Sequence, residues 1–139
     1  MKKLFLLLGC VFMFAGCKNS ASVEGNWETR SMEINGTAQE ICISEISFEK
    51  STNGVYSING NSGVNNFFGS VKINDADISV QDNMGSTKMA GEPKAMQFED
   101  NFLQTLIEAA SFRVFNESGS EFLEIKNKDG SRKIVFVKK

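Results

Sequence analysis

From residue 25 onward the chain is built on a period of two. Eight short runs alternate apolar and polar side chains: Trp27 to Ile34, Ile41 to Glu49, Val55 to Asn59, Phe67 to Ile73, Asp77 to Val80, Phe112 to Asn116, Phe122 to Asn127 and Lys133 to Val137. Clusters of Asn, Gly and Ser separate them. Successive side chains of a strand point to opposite faces, and short runs at this spacing predict an antiparallel sheet or barrel. The clearest hairpin is the last, where "EFLEIKN" and "RKIVFVK" flank "KDGS" and Asp-Gly can supply the positive φ angles of a tight turn. In the second run the apolar residues change phase: Ile41 and Ile43 share one face, Ile46 and Phe48 the other. That break predicts a β-bulge near Ser44.

One segment follows a different period. Phe98, Phe102, Leu103, Leu106, Ile107 and Ala110 fall on one helical face, with Glu99, Asp100, Asn101, Gln104 and Glu108 on the other. Pro93, the single proline, stands just ahead, where a helix start tolerates it. Three or four large side chains at about 1.5–3 kcal/mol each make this stripe a major contact with the sheet. An acidic polar face disfavours an anionic membrane as its partner.

The chain opens "MKKLFLLLGCVFMFAGCKNS", which reads as a secretory signal followed by the start of the mature chain: two lysines, an uncharged run from Leu4 to Ala15 and a small-residue cleavage site at Gly16-Cys17. The run is too short to span a bilayer, which takes about 20 apolar residues. Phe14-Ala15-Gly16-Cys17 resembles the bacterial lipobox, whose cysteine becomes the acylated first residue of the mature chain. "LLGC" ending at Cys10 fits the same pattern, but cleavage there would leave an apolar core of only Leu4 to Leu8, so Cys17 is the expected lipidation site. Residues 1–16 are then the signal peptide, and residues 17–24 the lipidated cysteine and its polar tether. Residues 25–139 form one domain. Lys18 follows the cysteine, with no Asp to suggest inner-membrane retention, so the expected location is the outer membrane, facing the periplasm.

Composition excludes several functions. The first sixteen residues carry two lysines and no acid, which leaves 13 basic against 17 acidic side chains, a net −4. A nucleic-acid binder would normally be basic. There is no histidine, which removes Ser-His-Asp and Cys-His catalysis and the imidazole zinc sites. Only Cys42 remains after processing and lipidation, so no intramolecular disulfide is expected. Between two isoleucines, Cys42 reads as a buried small apolar residue. No cofactor and no metal is expected. Asp75, Asp77, Ser79 and Asp82 hint at a calcium loop but lack its central glycine and terminal glutamate, so they read as a turn and a strand. "GNSGVNNFFGS" (Gly60 to Ser70) is followed by a strand rather than the helix of a phosphate loop. Glu45, Glu49, Glu117, Glu121 and Glu124 form no distinct catalytic pair and read as a solvated face. Lys126, Lys128, Arg132, Lys133, Lys138 and Lys139 read as protection of an exposed strand edge.

Several pieces, in order, resemble one family, the META (HslJ-like) domain. Gly25-Asn26-Trp27 matches its opening Gly-x-Trp. Gly63, Asn65, Phe67 and Gly69 match "GCNxFxG". Thr87, Met89 and Ala90 match "TxMAC", Glu99, Phe102, Leu103 and Leu106 match "ExxFLxxL", and Leu123 and Ile125 match the late "LxL". The resemblance runs from about Gly25 to the C terminus. The two cysteines of the family pattern fall at Val64 and Gly91; the resemblance implies a disulfide there that this chain has lost.

The expected fold is therefore α+β: a strongly curved antiparallel sheet or incomplete barrel with one amphipathic helix packed on it. The resemblance implies an envelope context and leaves the activity open; the first reading is a non-enzymatic envelope lipoprotein, serving stress response or envelope maintenance through a protein partner or an apolar, acyl-chain-like ligand. Phe67, Val71, Phe102 and Leu106 would line a partly open interior for such a ligand, or else fill it. The alternative is a small histidine-free hydrolase using carboxylates or a Ser-Lys pair, which requires a polar cleft with strongly shifted pKa values. A structural or inhibitor-like module would instead show a flat apolar patch, with Phe68 the first residue to test.

Overall fold

A computed structural model describes residues 22–81 and 84–139. Ten strands and one helix follow in chain order. They are β1 (Gly25–Ile34), β2 (Thr37–Ala38), β3 (Glu45–Thr52), β4 (Val55–Asn61), β5 (Asn66–Asn74), β6 (Asp77–Val80) and β7 (Gly85–Ser86). Then come α1 (Pro93–Ile107), β8 (Ala109–Glu117), β9 (Ser120–Asn127) and β10 (Arg132–Lys138). All pairings are antiparallel, in the order β10-β9-β8-β6-β5-β4-β3-β1-β2, with β7 on β5. β10 also pairs with β1, from Trp27↔Lys138 to Ile34↔Arg132. Eight strands thus close a barrel, and the expectation of an incomplete one is corrected. The closing pair joins the first and last long strands, a contact that local periodicity does not encode.

The alternation does what it predicts. Trp27, Ile46, Phe48, Ile58, Phe67, Val71, Ile78, Phe112, Leu123, Ile125, Ile134 and Phe136 are buried together as one core. Two connections are two-residue turns with both central residues at positive φ: Asn35-Gly36 (51° and 76°) between β1 and β2, and Ser118-Gly119 (51° and 80°) between β8 and β9. Such turns match the right-handed twist of hairpin strands. The β9–β10 connection differs from expectation. Four residues separate the strands, and of Asp129 and Gly130 only Gly130 has positive φ (75°). The Asn127 side chain completes the turn by accepting from the Arg132 amide at 3.0 Å.

α1 begins at Pro93 and ends at Ile107, where the Glu108 amide still donates to the Gln104 carbonyl at 3.0 Å. It packs against β6, β9 and β10. Phe98, Phe102 and Leu106 are buried, and the Phe102 ring lies 5.6 Å from Phe67 and edge-on to Phe136 at 6.1 Å. The rest of the expected stripe departs from the core. Leu103 is half-buried, Ile107 is exposed, and Ala110 belongs to β8.

Three further expectations change. Ile41 to Ser44 is a loop, not strand, and Ile43 is 90 % exposed; the phase break marks the strand's start rather than a bulge. Ser44 is buried there, donating its hydroxyl to Thr29 Oγ1 at 2.7 Å, and β1 itself carries an irregularity, between Thr29 and Ser31. Val23, expected within a polar tether, is buried and its carbonyl accepts the Trp27 indole N–H at 2.8 Å. The C-terminal lysines guard no edge, because β9 and β10 are paired on both sides. They neutralise acids instead: Lys133 meets Glu33, Lys138 meets Glu121, Lys139 meets Glu45 and Arg132 meets Glu108.

Candidate functional site

The antiparallel order sorts the connections into two ends. Residues 22–24, Lys138 and the turns at 53–54, 75–76 and 118–119 lie at one end, hereafter the entry end. The opposite end carries the 39–44 loop, the 62–65 loop, the segment from Gly85 to Glu92, α1 and the 128–131 turn. Binding residues concentrate on longer connections held by a rigid scaffold, which makes this helix end the candidate site.

Its centre is Glu99, read from sequence as part of the polar helix face yet only 4 % exposed. Ser62 donates its hydroxyl to Oε1 at 2.6 Å, the Asn65 amide donates to Oε1 at 2.6 Å, and Asn65 Nδ2 donates to Oε2 at 2.8 Å. Asn65 in turn reaches the far segment. Its Oδ1 accepts from Thr87 Oγ1 at 2.9 Å and from the Met89 amide at 2.7 Å, while Nδ2 also donates to the Met89 carbonyl at 3.0 Å. One network thus ties the β4–β5 loop, the segment after β7 and α1. Burial alone would raise the Glu99 pKa, but the bonds from Ser62 and from the Asn65 side chain and backbone outweigh it and hold the carboxyl below its ordinary value of 4.5. Beside the network a cleft of about 290 Å³ is lined in part by Lys88, Met89, Ala90, Met96, Asp100 and Leu103.

The three motif pieces that contribute Asn65, Thr87, Met89 and Glu99 are therefore one structural unit. The positions of the family cysteines meet at the same place. A Cβ on Gly91 would stand 3.4 Å from the Val64 Cβ, close to the separation of about 3.5–4.5 Å that a disulfide spans. Sequence reasoning missed Ser62 and the burial of Glu99; the motif membership of Glu99 and Asn65 was the available signal.

The other expected residues are distributed as follows. Phe67, Val71, Phe102 and Leu106 are buried core residues, with at most 2 % of any of them exposed, so the interior around them is filled. Cys17 lies outside the described residues. Cys42 is half-buried, with its Cβ 3.5 Å from where a Gly63 Cβ would stand. Phe68 is 59 % exposed on the outer wall, its ring over Gly85. Asp75 occupies a turn at φ 53° and Asp77 opens β6, a turn and a strand, while Asp82 lies outside the described residues. Among the carboxylates read as solvated, Glu124 is buried at 6 % exposure on the outer wall. Arg113 grips it with Nε at 3.1 Å and Nη2 at 3.2 Å, and Lys126 Nζ is 3.6 Å away. Burial would raise its pKa; Arg113, Lys126 and Lys133 reverse that and lower it.

No curated protein matches the chain. Among solved structures, it is similar to a protein from Burkholderia xenovorans determined by NMR. That similarity has 19 % identity and a TM-score of 0.70, over 84 % of this chain and 83 % of that one. At that identity the likeness concerns the fold. The family model of the META domain matches residues 20–139, a span that includes the Asn65–Glu99 network, the Val64–Gly91 contact and both strands that close the barrel. The chain belongs to the META domain family.

Proposed function

We propose that this is a non-enzymatic envelope protein, held at the outer membrane by a lipid on Cys17, that presents its helix end to a protein partner. The observation that carries this reading is the opposition of the two ends. The chain enters the barrel at the end that has only two-residue turns and the C terminus. The long connections and the exposed apolar side chains Ile41, Ile43 (90 %) and Met89 (63 %) stand at the other. From Lys18 to Ser22 the tether reaches at most about 17 Å. The entry end then faces the bilayer and the helix end faces away from it, toward the space where a soluble partner would be met.

Two features favour binding over catalysis. General acid–base work uses a group with a pKa near the operating pH and access to substrate; Glu99 and Glu124 are covered by donors and held low. The filled interior also favours a partner at the surface over an acyl chain inside. The test is site-specific photocrosslinking in the native host, with the probe at Ile43 or Met89 and, as control, at Asn53. Discrete adducts from the helix end alone support the reading, as does their loss in a Cys17→Ser variant that leaves the membrane fraction. Equal adducts from Asn53, or full yield from the unanchored variant, reject it.

A further inference from the structure

The ring of strands is thinnest at one seam. β6 and β8 pair only through Asp77↔Ser111, supported by the Phe112 amide donating to the Ala76 carbonyl at 3.0 Å. Beyond Ser111, β8 continues for six residues to Glu117, paired on one side with β9. At about 3.4 Å per residue this is roughly 20 Å of strand, and among the described residues no strand pairs with its other side. Glu117↔Ser120 flanks a two-residue turn, so those two exchange hydrogen bonds, and by alternation so do Phe115↔Phe122 and Arg113↔Glu124. The amides and carbonyls of Val114 and Asn116 therefore point outward, as that of Phe112 does toward Ala76. An open edge of this kind recruits another strand.

We propose that the strand it recruits is β8 of a second copy, in an antiparallel pair centred on Phe115. Only this register uses both open residues. Val114 falls opposite Asn116 of the partner subunit, and Asn116 opposite Val114 of the partner subunit, four main-chain hydrogen bonds in all. A register centred on Val114 would need the Phe112 amide, which Ala76 already holds. On the outer face the same register is self-complementary. Arg113 falls opposite Glu117 of the partner subunit and the reverse, while Phe115 meets Phe115 of the partner subunit. Arg113 holds Glu124 through Nε and Nη2, which leaves Nη1 for the new carboxylate. Phe115 is already stacked on Phe122 at 5.4 Å and capped by the Arg113 guanidinium at 4.4 Å, so the pair would assemble four rings around the two-fold axis. Such an interface is isologous, each patch serving both subunits. It is also small, so the pair is expected to be weak and concentration-dependent.

The test uses the full-length protein with Cys42→Ala as background. Residues facing each other in a non-hydrogen-bonded antiparallel pair have Cα atoms about 4.5 Å apart, within disulfide range. Phe115→Cys should therefore form a covalent dimer under mild oxidation, and Ser57→Cys on the opposite wall should not. Sedimentation of the purified protein in detergent should show twice the monomer mass at high concentration. Asn116→Pro removes an outward amide that β9 does not use and should give monomers. Glu117→Lys sets like charges against Arg113 and should weaken the pair roughly tenfold or more. A chain that stays monomeric and fails to cross-link through Phe115→Cys overturns the proposal. So does a dimer that neither Asn116→Pro nor Glu117→Lys weakens, since it would use another surface.

Discussion

The molecule buries two carboxylates by opposite means. Glu99, at the helix end, is held by neutral donors: one hydroxyl, one backbone amide and one side-chain amide. Glu124, on the outer wall, is held by cations, with Arg113 bidentate and Lys126 beside it. The reach differs as well. Glu99 joins three segments remote in sequence, whereas Glu124 joins neighbouring strands already zipped by their backbones. A buried carboxylate must recover the donors it loses with water. Fixed neutral donors do so only when the backbone is already in place, and they lock it there. Flexible cations do so from the solvent side and ask little of the fold. Glu99 is thus a tertiary clasp and Glu124 a local brace.

The largest effect should come from breaking the clasp. Glu99→Ala strands three donors in a buried site, each worth about 1–3 kcal/mol when unsatisfied. A loss of about 3–5 kcal/mol is expected from denaturant unfolding, and increased hydrogen exchange should concentrate in the 62–65 and 87–91 segments. A loss under about 1 kcal/mol would remove the distinction between clasp and brace. A staple across the same segments sharpens it. Val64→Cys with Gly91→Cys, on a Cys42→Ala background, should close spontaneously on oxidation and add about 2–4 kcal/mol. If the clasp acts by joining those segments, Glu99→Ala should cost clearly less in the stapled protein, a coupling that a double-mutant cycle measures.

How the clasp escaped the sequence is itself physical. Periodicity identified Phe98, Phe102 and Leu106 correctly because a side chain's apolar letter and its burial agree there. Glu99 carries a charged letter, and what buries it is a loop more than thirty residues earlier in the chain, beyond the reach of any local window. Ile43 fails in the opposite sense: an apolar letter in a loop, read as strand. The strands themselves were legible because alternation is local, and so was the helix start because Pro93 acts through its own ring. Barrel closure was not, since β1 and β10 stand at opposite ends of the chain. The motif matches held more than periodicity could use. Asn65, Thr87 and Glu99 belong to three separate motif pieces, and only the fold shows that Asn65 bonds to both of the others.

The brace should yield less, and differently. Arg113→Ala leaves Glu124 with Lys126 and Lys133 nearby, and Arg113 itself is largely exposed, so about 1 kcal/mol is expected. The Arg113 contribution should shrink in 1 M salt, where the Debye length falls to about 3 Å, while that of Glu99 should not, since its partners are uncharged.

Acid offers the finest discrimination. Both carboxyls have folded pKa values below their ordinary 4.5. Each therefore contributes stability that is fully present above that value and is lost as pH falls through the lower folded one. Between pH 8 and 5 the two groups should leave stability unchanged; below 4.5 it should decline. Glu99→Gln offers one amide oxygen where two carboxylate oxygens accepted, so it starts lower and cannot protonate. Its unfolding free energy should fall less steeply below pH 4.5 than that of the native chain, and the two curves should converge at low pH. Arg113→Ala should keep the Glu99 part of the decline and lose part of the Glu124 share. Parallel curves for Glu99→Gln and the native chain would mean that the clasp carries no more of the acid response than any surface carboxylate.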